Sequence, residues 1–141
     1  MDKHSLELID LELAILLRRI TSTNKKLGTL DRSAYLLLHQ IITKGAAGVK
    51  ALADEFKLDI STVSRQASAL EQKGYVYRIP DPLDGRAYTL QITELGKKEF
   101  EENRNIRFDK FEKILKGWSV EERKQFGRLL RKYNLSSLES N

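Results

Sequence analysis

Leu6, Ile9, Leu13, Leu16 and Ile20 step along the chain by 3, 4, 3 and 4 residues, the spacing that lines side chains up in one seam of an α-helix. Leu8, Leu11, Ile15 and Leu17 put more apolar surface on other faces of the same stretch, so this helix expects neighbours on more than one side. The far end poses the same problem. Phe108, Phe111, Leu115 and Trp118 step 3, 4, 3 along a charged helix expected to run to about Lys116. After it, Ser119 and Glu122 have capping-box spacing and open a last helix. Phe126, Leu129, Leu130, Tyr133 and Leu138 make its apolar face. In a chain of 141 residues, two long amphipathic ends have little of their own to pack against. Burial against a second copy, most commonly by two-fold symmetry, is the economical arrangement. The residues expected in that contact are Leu6, Ile9, Leu13 and Leu16 at one end and Phe126, Leu130 and Tyr133 at the other.

The middle of the chain is local and compact in pattern. Asp31 is placed to cap a helix over "SAYLLLHQII" that closes at Lys44–Gly45, with Leu30 and Tyr35 at staple spacing and Gly45 as a left-handed terminus. "VKALADEF", residues 49–56, is a short helix with Val49, Leu52, Ala53 and Phe56 on one face. "KLD" turns the chain, Asp59 caps "ISTVSRQASALEQK", and Gly74 ends it. Val63, Ala67 and Leu70 give that helix an inward stripe. Two strand-like runs follow, "YVYRI" and "AYTLQI"; in the second, Tyr88, Leu90 and Ile92 alternate with Ala87, Thr89 and Gln91. Thr93 is placed to cap the long charged helix. Repeats, low-complexity tracts and an obvious linker are absent from the sequence.

Composition removes several function classes. Apolar residues make up 40% and charged residues 32%, which fits a helix-rich soluble chain rather than a disordered one. No apolar run approaches the ~18 residues that span a bilayer, and "MDKHSLELID" lacks the basic-then-apolar layout of a secretion signal. A cytoplasmic protein that does not engage membranes is expected. Cysteine is absent, so no disulfide, thiolate metal site, cysteine nucleophile or cysteine redox switch exists. Net charge is +5, which hints at an anionic partner. The excess lies outside residues 49–91, however. There Lys50, Lys57, Arg65, Lys73, Arg78 and Arg86 balance Asp54, Glu55, Asp59, Glu71, Asp81 and Asp84. Any nucleic-acid reading must therefore rest on pattern rather than on global charge.

A short helix, a tight turn and a second helix with short polar residues at its N-terminal end are the parts of a helix-turn-helix. Ser61, Thr62, Ser64, Arg65, Gln66 and Ser68 occupy those positions. Hydroxyls and amides bond base edges or phosphate oxygens at close range, and Arg65 can fork onto a guanine or clamp a phosphate. The alternative is that these are exposed polar residues opposite the Val63–Ala67–Leu70 stripe. A β-hairpin directly after such a helix has the form of a wing. Its tip, "DPLDGR", puts Asp84–Gly85 where a tight turn wants positive φ, and Pro80 and Pro82 stiffen the approach. Asp84, two residues before Arg86, is expected to hold that guanidinium and aim it outward. A pre-aimed arginine suits the minor groove; the plainer alternative is an exposed surface pair worth at most about 1 kcal/mol.

Residues 49–96 resemble the MarR family of transcriptional regulators. "LADEFKLDISTVSRQASALEQKGYVYR" is similar to its helix-turn-helix with the following Gly-hydrophobic-Val-x-Arg strand. "DPLDGRAYTLQITELG" is similar to its wing signature at Asp81, Asp84, Arg86, Leu90, Ile92, Thr93 and Gly96. The likeness, with the flanking helices, covers nearly the whole chain. One departure stands out: Leu83 occupies a position where many members carry arginine, which implies fewer phosphate contacts. The resemblance implies a mainly α fold with a small β-hairpin wing (α+β). In it, residues 31–96 form a winged helix-turn-helix, with the recognition helix near 60–73 and the wing near 76–92. Residues 1–30 and 97–141 form a helical dimerisation region. It further implies a homodimeric, sequence-specific DNA-binding regulator, usually a repressor, on a near-palindromic double-stranded operator. Many members release DNA when a small aromatic effector binds near the junction of the two regions.

Other constellations carry less. His39, on the second helix near Tyr35, either lines a ligand pocket with that tyrosine or is simply packed or surface-facing; His4 is the only other histidine. No His/Asp/Glu set has metal-ligand spacing, no glycine-rich phosphate loop is present, and no nucleophile–base set can be drawn, so neither an enzyme nor a cofactor is expected. "EFEEN" and "RKQFGRLLRK" read as solvated helix faces, the second alternatively as a contact for phosphates or an anionic partner. The competing function is a winged-helix protein–protein module that no longer reads DNA, which the balanced charge of residues 49–91 and Leu83 keep open.

Overall fold

A computed structural model describes residues 2–22 and 28–139. Its elements follow in the order α1 (Lys3–Ser22), α2 (Arg32–Lys44), α3 (Val49–Phe56), α4 (Ile60–Gln72), β1 (Val76–Pro80), β2 (Tyr88–Ile92), α5 (Glu94–Ile114) and α6 (Val120–Glu139). The mainly helical fold with one antiparallel hairpin is the expected one.

Local chemistry sets most boundaries. The Asp31 carboxylate accepts the Ala34 N–H at 2.8 Å and opens α2. Gly45 closes it at φ 93°, ψ −175°, with positive φ as expected but outside the left-handed helical basin. Ser119 and Glu122 form the reciprocal capping box at the head of α6: the Glu122 carboxylate accepts the Ser119 N–H at 2.9 Å, and Ser119 Oγ accepts the Glu122 N–H at 3.1 Å. The charged helix α5 ends at Ile114, two residues short of the expected Lys116, because Leu115 leaves helical geometry and Gly117 turns the chain at φ 89°. Trp118 therefore stands in the turn rather than on the helix.

The buried side chains form one cluster. Leu37, Leu38 and Ile41 of α2, Leu52 and Ala53 of α3, and Val63, Ala67 and Leu70 of α4 meet Val76, Leu90 and Ile92 of the hairpin, closed by Leu30 and Phe100. All of them lie between residues 30 and 100. In the hairpin, Val76 pairs with Ile92 and Pro80 with Tyr88. The outer edge of β2 is also paired: Leu90 N–H donates to Ala47 O at 2.8 Å and Ala47 N–H donates to Leu90 O at 3.2 Å. That bridge, just before α3, fastens the hairpin to the entrance of the helix pair.

Where the hairpin passes into α5 the backbone is crowded. Thr93 Oγ1 donates to Gly74 O at 2.6 Å and accepts the Gly96 N–H at 2.9 Å, while Thr93 N–H donates to Tyr75 O at 3.0 Å. A Cβ on Gly96 would collide with the Tyr75 carbonyl oxygen. Farther along α5, Asn103 is the one buried polar side chain among the described residues. Its Oδ1 accepts the Leu30 N–H at 3.0 Å, and its Nδ2 donates to Glu99 O at 2.7 Å and Thr29 Oγ1 at 3.2 Å. The segment entering α2 is thus pinned to α5.

Two substitutions test these junctions. Gly96→Ala is expected to lower stability by about 1–3 kcal/mol through overpacking, outweighing the helix propensity it gains. Asn103→Leu strands the buried Leu30 N–H and is expected to cost a similar ~1–3 kcal/mol. Denaturant midpoints at unchanged slope measure both.

Candidate nucleic-acid interface

The outer face of α4 is an open groove of about 480 Å³ lined by Ser61, Ser64, Arg65, Ser68, Ala69 and Gln72. Positions 61, 65, 68 and 72 lie one above another on a helix, so the groove is a single stripe opposite Val63, Ala67 and Leu70. Four of the six expected residues are therefore brought together. Thr62 and Gln66 sit on its flank, half-buried, and Gln66 Oε1 is enclosed without a protein partner. Ala69 and Gln72 extend the stripe and were missed in the sequence, although the i+4 and i+7 steps from Arg65 point to them. Asp59 takes the N-cap position, and its carbonyl accepts the Val63 N–H at 3.1 Å, but its side chain makes no capping hydrogen bond. The expected side-chain cap is corrected accordingly, and the first-turn N–H groups of α4 remain available to an acceptor. Arg65 is exposed and has no ion pair among the described residues.

The wing tip corrects two expectations. Asp84 does not hold the Arg86 guanidinium; its Oδ1 accepts the Arg86 backbone N–H at 3.0 Å. Asp81 does the same for the Leu83 N–H at 2.8 Å. Both aspartates fold the loop by bonding the backbone two residues on, the habit of Asx turns. Gly85 lies outside the left-handed region. A two-residue primed turn would need positive φ there, but Pro80 pairs with Tyr88, so the reversal spreads over residues 81–87. Ala87 N–H to Asp84 O at 3.0 Å and Asp81 N–H to Ala87 O at 2.9 Å close it. The guanidinium of Arg86 is exposed and unpaired among the described residues.

Wing and helix are tied together by a side-chain clamp that sequence reasoning did not find. Arg78 of β1 reaches Glu71 of α4, Nε to carboxylate 3.1 Å, and its guanidinium lies 4.3 Å from the ring centre of Tyr88 on β2. The ion pair is surface-exposed and worth at most ~1 kcal/mol, with a comparable cation–π contribution. It spans the end of α4 and both strands of the hairpin on the surface, above the buried core that joins them. The i, i+7 spacing of Glu71 and Arg78 across a helix end gives no sequence signal for it.

Tyr35 and His39 flank the buried ring of Phe100, Tyr35 stacked on it at 4.7 Å and His39 tilted at 5.9 Å. Arg107 lies 4.0 Å over the Tyr35 ring. Burial pushes the Tyr35 phenol above its ordinary value, against the opposing pull of Arg107 and Arg104. Phe100, Arg104 and Arg107 step along α5 by 4 and 3 residues, the pattern that could have placed them beside this pair.

Of the residues expected to bind a second copy, Leu6, Ile9, Leu16, Phe126, Leu130 and Tyr133 are exposed and Leu13 is half-buried. No residue of α6 is buried. No helix among the described residues is long and apolar enough to cross a membrane, and no group of three or more His, Cys, Asp or Glu among them is placed to hold a metal ion.

Comparison with known proteins agrees with this architecture. A model of the MarR family matches residues 30–88. The uncharacterized HTH-type transcriptional regulator YxaD of Bacillus subtilis (strain 168) is 46% identical over 136 residues, covering 94% of this chain and 95% of that protein. Among solved structures, a MarR transcriptional regulator from Methanosarcina mazei Go1 superposes with a TM-score of 0.76 at 22% identity, over 96% of this chain and 99% of that one. A MarR family protein from Bacillus stearothermophilus does so with a TM-score of 0.75 at 21% identity, over 98% and 99%. Fold, wing motif and full-length relative converge: the chain belongs to the MarR family of winged helix-turn-helix transcriptional regulators.

Proposed function

We propose that the protein is a homodimeric repressor that reads a near-palindromic operator, with residues 31–96 as the reading unit and residues 1–30 and 97–141 as the dimerisation region. The carrying observation is the pair of exposed arginines without an ion-pair partner among the described residues, Arg65 on the α4 groove and Arg86 on the wing tip, mounted on elements that Glu71, Arg78 and Tyr88 bridge. In this reading α4 enters the major groove. Ser61, Ser64, Arg65 and Ser68 lie at its floor, and Thr62 and Gln66 reach its walls. The wing follows the backbone into the adjacent minor groove, with Asp84 shaping the loop that presents Arg86. The compartment that goes with a DNA partner is the cytoplasm.

Dimerisation is supported by what the single chain leaves uncovered. α1 and α6 expose Leu6, Leu8, Ile9, Leu11, Phe126, Leu129, Leu130 and Tyr133, more than a monomer in water ordinarily shows. Two-fold pairing would set two α4 helices about one DNA turn apart, ~10 bp centre to centre. In this reading a small aromatic effector binds beside Tyr35 and His39, which flank Phe100 where α2 meets α5. Seating it there would favour a different angle between reading unit and dimerisation region, and so a different half-site spacing.

Arg86→Ala and Arg65→Ala are each expected to weaken operator binding by at least about tenfold, in line with ~1–3 kcal/mol per base contact or lost phosphate clamp, without altering dimer or fold. Fluorescence anisotropy at stated salt measures this, on an operator selected from random DNA. Unchanged affinity for both variants favours the interaction-module reading. Arg78→Glu is expected to weaken binding although Arg78 touches no base, and the charge-swapped pair Glu71→Arg, Arg78→Glu to recover the share carried by the ion pair but not that of the contact with Tyr88. Leu16→Glu with Leu130→Glu is expected to convert the dimer to monomer in light scattering and to abolish binding to the full operator.

A further inference from the structure

Leu83 stands out from the wing with 97% of its surface exposed. The next most exposed large apolar side chain among the described residues is Leu8, at 63%, on the apolar helix α1. Leu83 lies on no seam. It sits at the tip of the hairpin loop, and its own backbone N–H is bonded to Asp81 Oδ1 at 2.8 Å. The bonds of Asp84 and Ala87 close the loop behind it. The finger is therefore ordered before any partner arrives, so little conformational freedom is lost on contact.

The tip offers little to phosphate by charge. Asp81 and Asp84 outnumber Arg86 across residues 81–86, and each aspartate has one oxygen bonded to backbone N–H. Beside the exposed carboxylates of Asp81 and Asp84, the tip presents one guanidinium and one isobutyl group, three residues apart. Apolar side chains beside arginine are the equipment of minor-groove contact, where the walls are deoxyribose carbons and the floor is nearly flat over A·T pairs. Guanine adds an N2 amino group to that floor.

We propose that Leu83 is a specificity-determining contact. It packs on the sugar walls and floor of the minor groove where Arg86 enters, and favours A·T over G·C pairs there because the guanine amino group occupies its place. The inference rests on the DNA-binding reading above. It makes the wing a reader by shape and apolar contact, in which Leu83 supplies burial rather than charge.

The test uses the full-length dimer, a selected operator, and variants of it carrying G·C in place of A·T at the wing positions, titrated across several salt concentrations. Leu83→Ala is expected to lose about tenfold in affinity, the scale of partly burying a leucine side chain. Its slope of log K against log salt should be unchanged, and its preference for A·T at the wing positions reduced. Leu83→Arg is expected to steepen that slope by about 0.9 for each phosphate it adds. Parental affinity and parental base preference in Leu83→Ala would overturn the proposal. So would a loss of affinity accompanied by dissociation of the dimer in light scattering, which would assign the tip to self-association. Failure of the parent protein to select any DNA brings down the DNA-binding reading itself. That result is seen on the parent alone, whereas a sound parent with an indifferent Leu83→Ala sinks only the role of Leu83.

Discussion

The backbone of Leu90 is bonded to Ala47 in both directions, at 2.8 and 3.2 Å, and its other edge faces Arg78 across the hairpin. Because both of its backbone groups point to Ala47, the Leu90–Arg78 pair is of the non-hydrogen-bonded kind, with side chains close. Arg78 in turn holds Glu71 of α4. One residue thus ties the entrance of α3, the central strand of the wing and, through its partner, the end of α4. Leu90 is itself buried in the core between these elements. The distance from the α4 groove to the wing tip is set by that crossing, and a reading surface of two separate elements depends on it being fixed.

The second fixed point lies where β2 runs into α5. Thr93 caps the helix, bonds Gly74 O at the end of the α4 turn, and leaves Gly96 against the Tyr75 carbonyl with no room for a side chain. α5 therefore leaves the hairpin at one angle only. About two turns beyond Gly96, Asn103 fastens the segment ahead of α2 to the same helix. α5 is thus joined to the reading unit at two places, the Thr93–Gly96 junction and Asn103.

The elements were legible in the sequence because their signals are local. Asp31, Thr93 and the Ser119–Glu122 box are one-turn signatures, and each caps where its spacing says. The Val63–Ala67–Leu70 stripe fixed which side of α4 faces inward and hence which side carries the groove. Local signals failed where the outcome depends on competition between neighbours. Asp84 had a guanidinium and a backbone N–H within reach, and the backbone N–H two residues on won, as the geometry of a short side chain favours. Gly85 sat in a dipeptide typical of tight turns, but the pairing of Pro80 with Tyr88 left a loop too long to require one. The Ala47 bridge and the Arg78 clamp join residues far apart in sequence or across a helix end, and neither leaves a periodic trace.

Charge balance across residues 49–91 limits how this surface can work. A stretch with as many carboxylates as cations gains little from counterion release beyond its few arginines. Affinity must then come from fit, and one rigid half-site supplies only a modest share of it. Joining two such units raises the effective concentration of the second once the first is seated, provided their spacing matches the duplex. The apolar ends and the balanced middle are in this sense one design: the weaker the single unit, the more binding depends on a fixed distance between two. A small change of angle where α5 meets α2, at the stacked rings of Tyr35 and Phe100, would act directly on that distance.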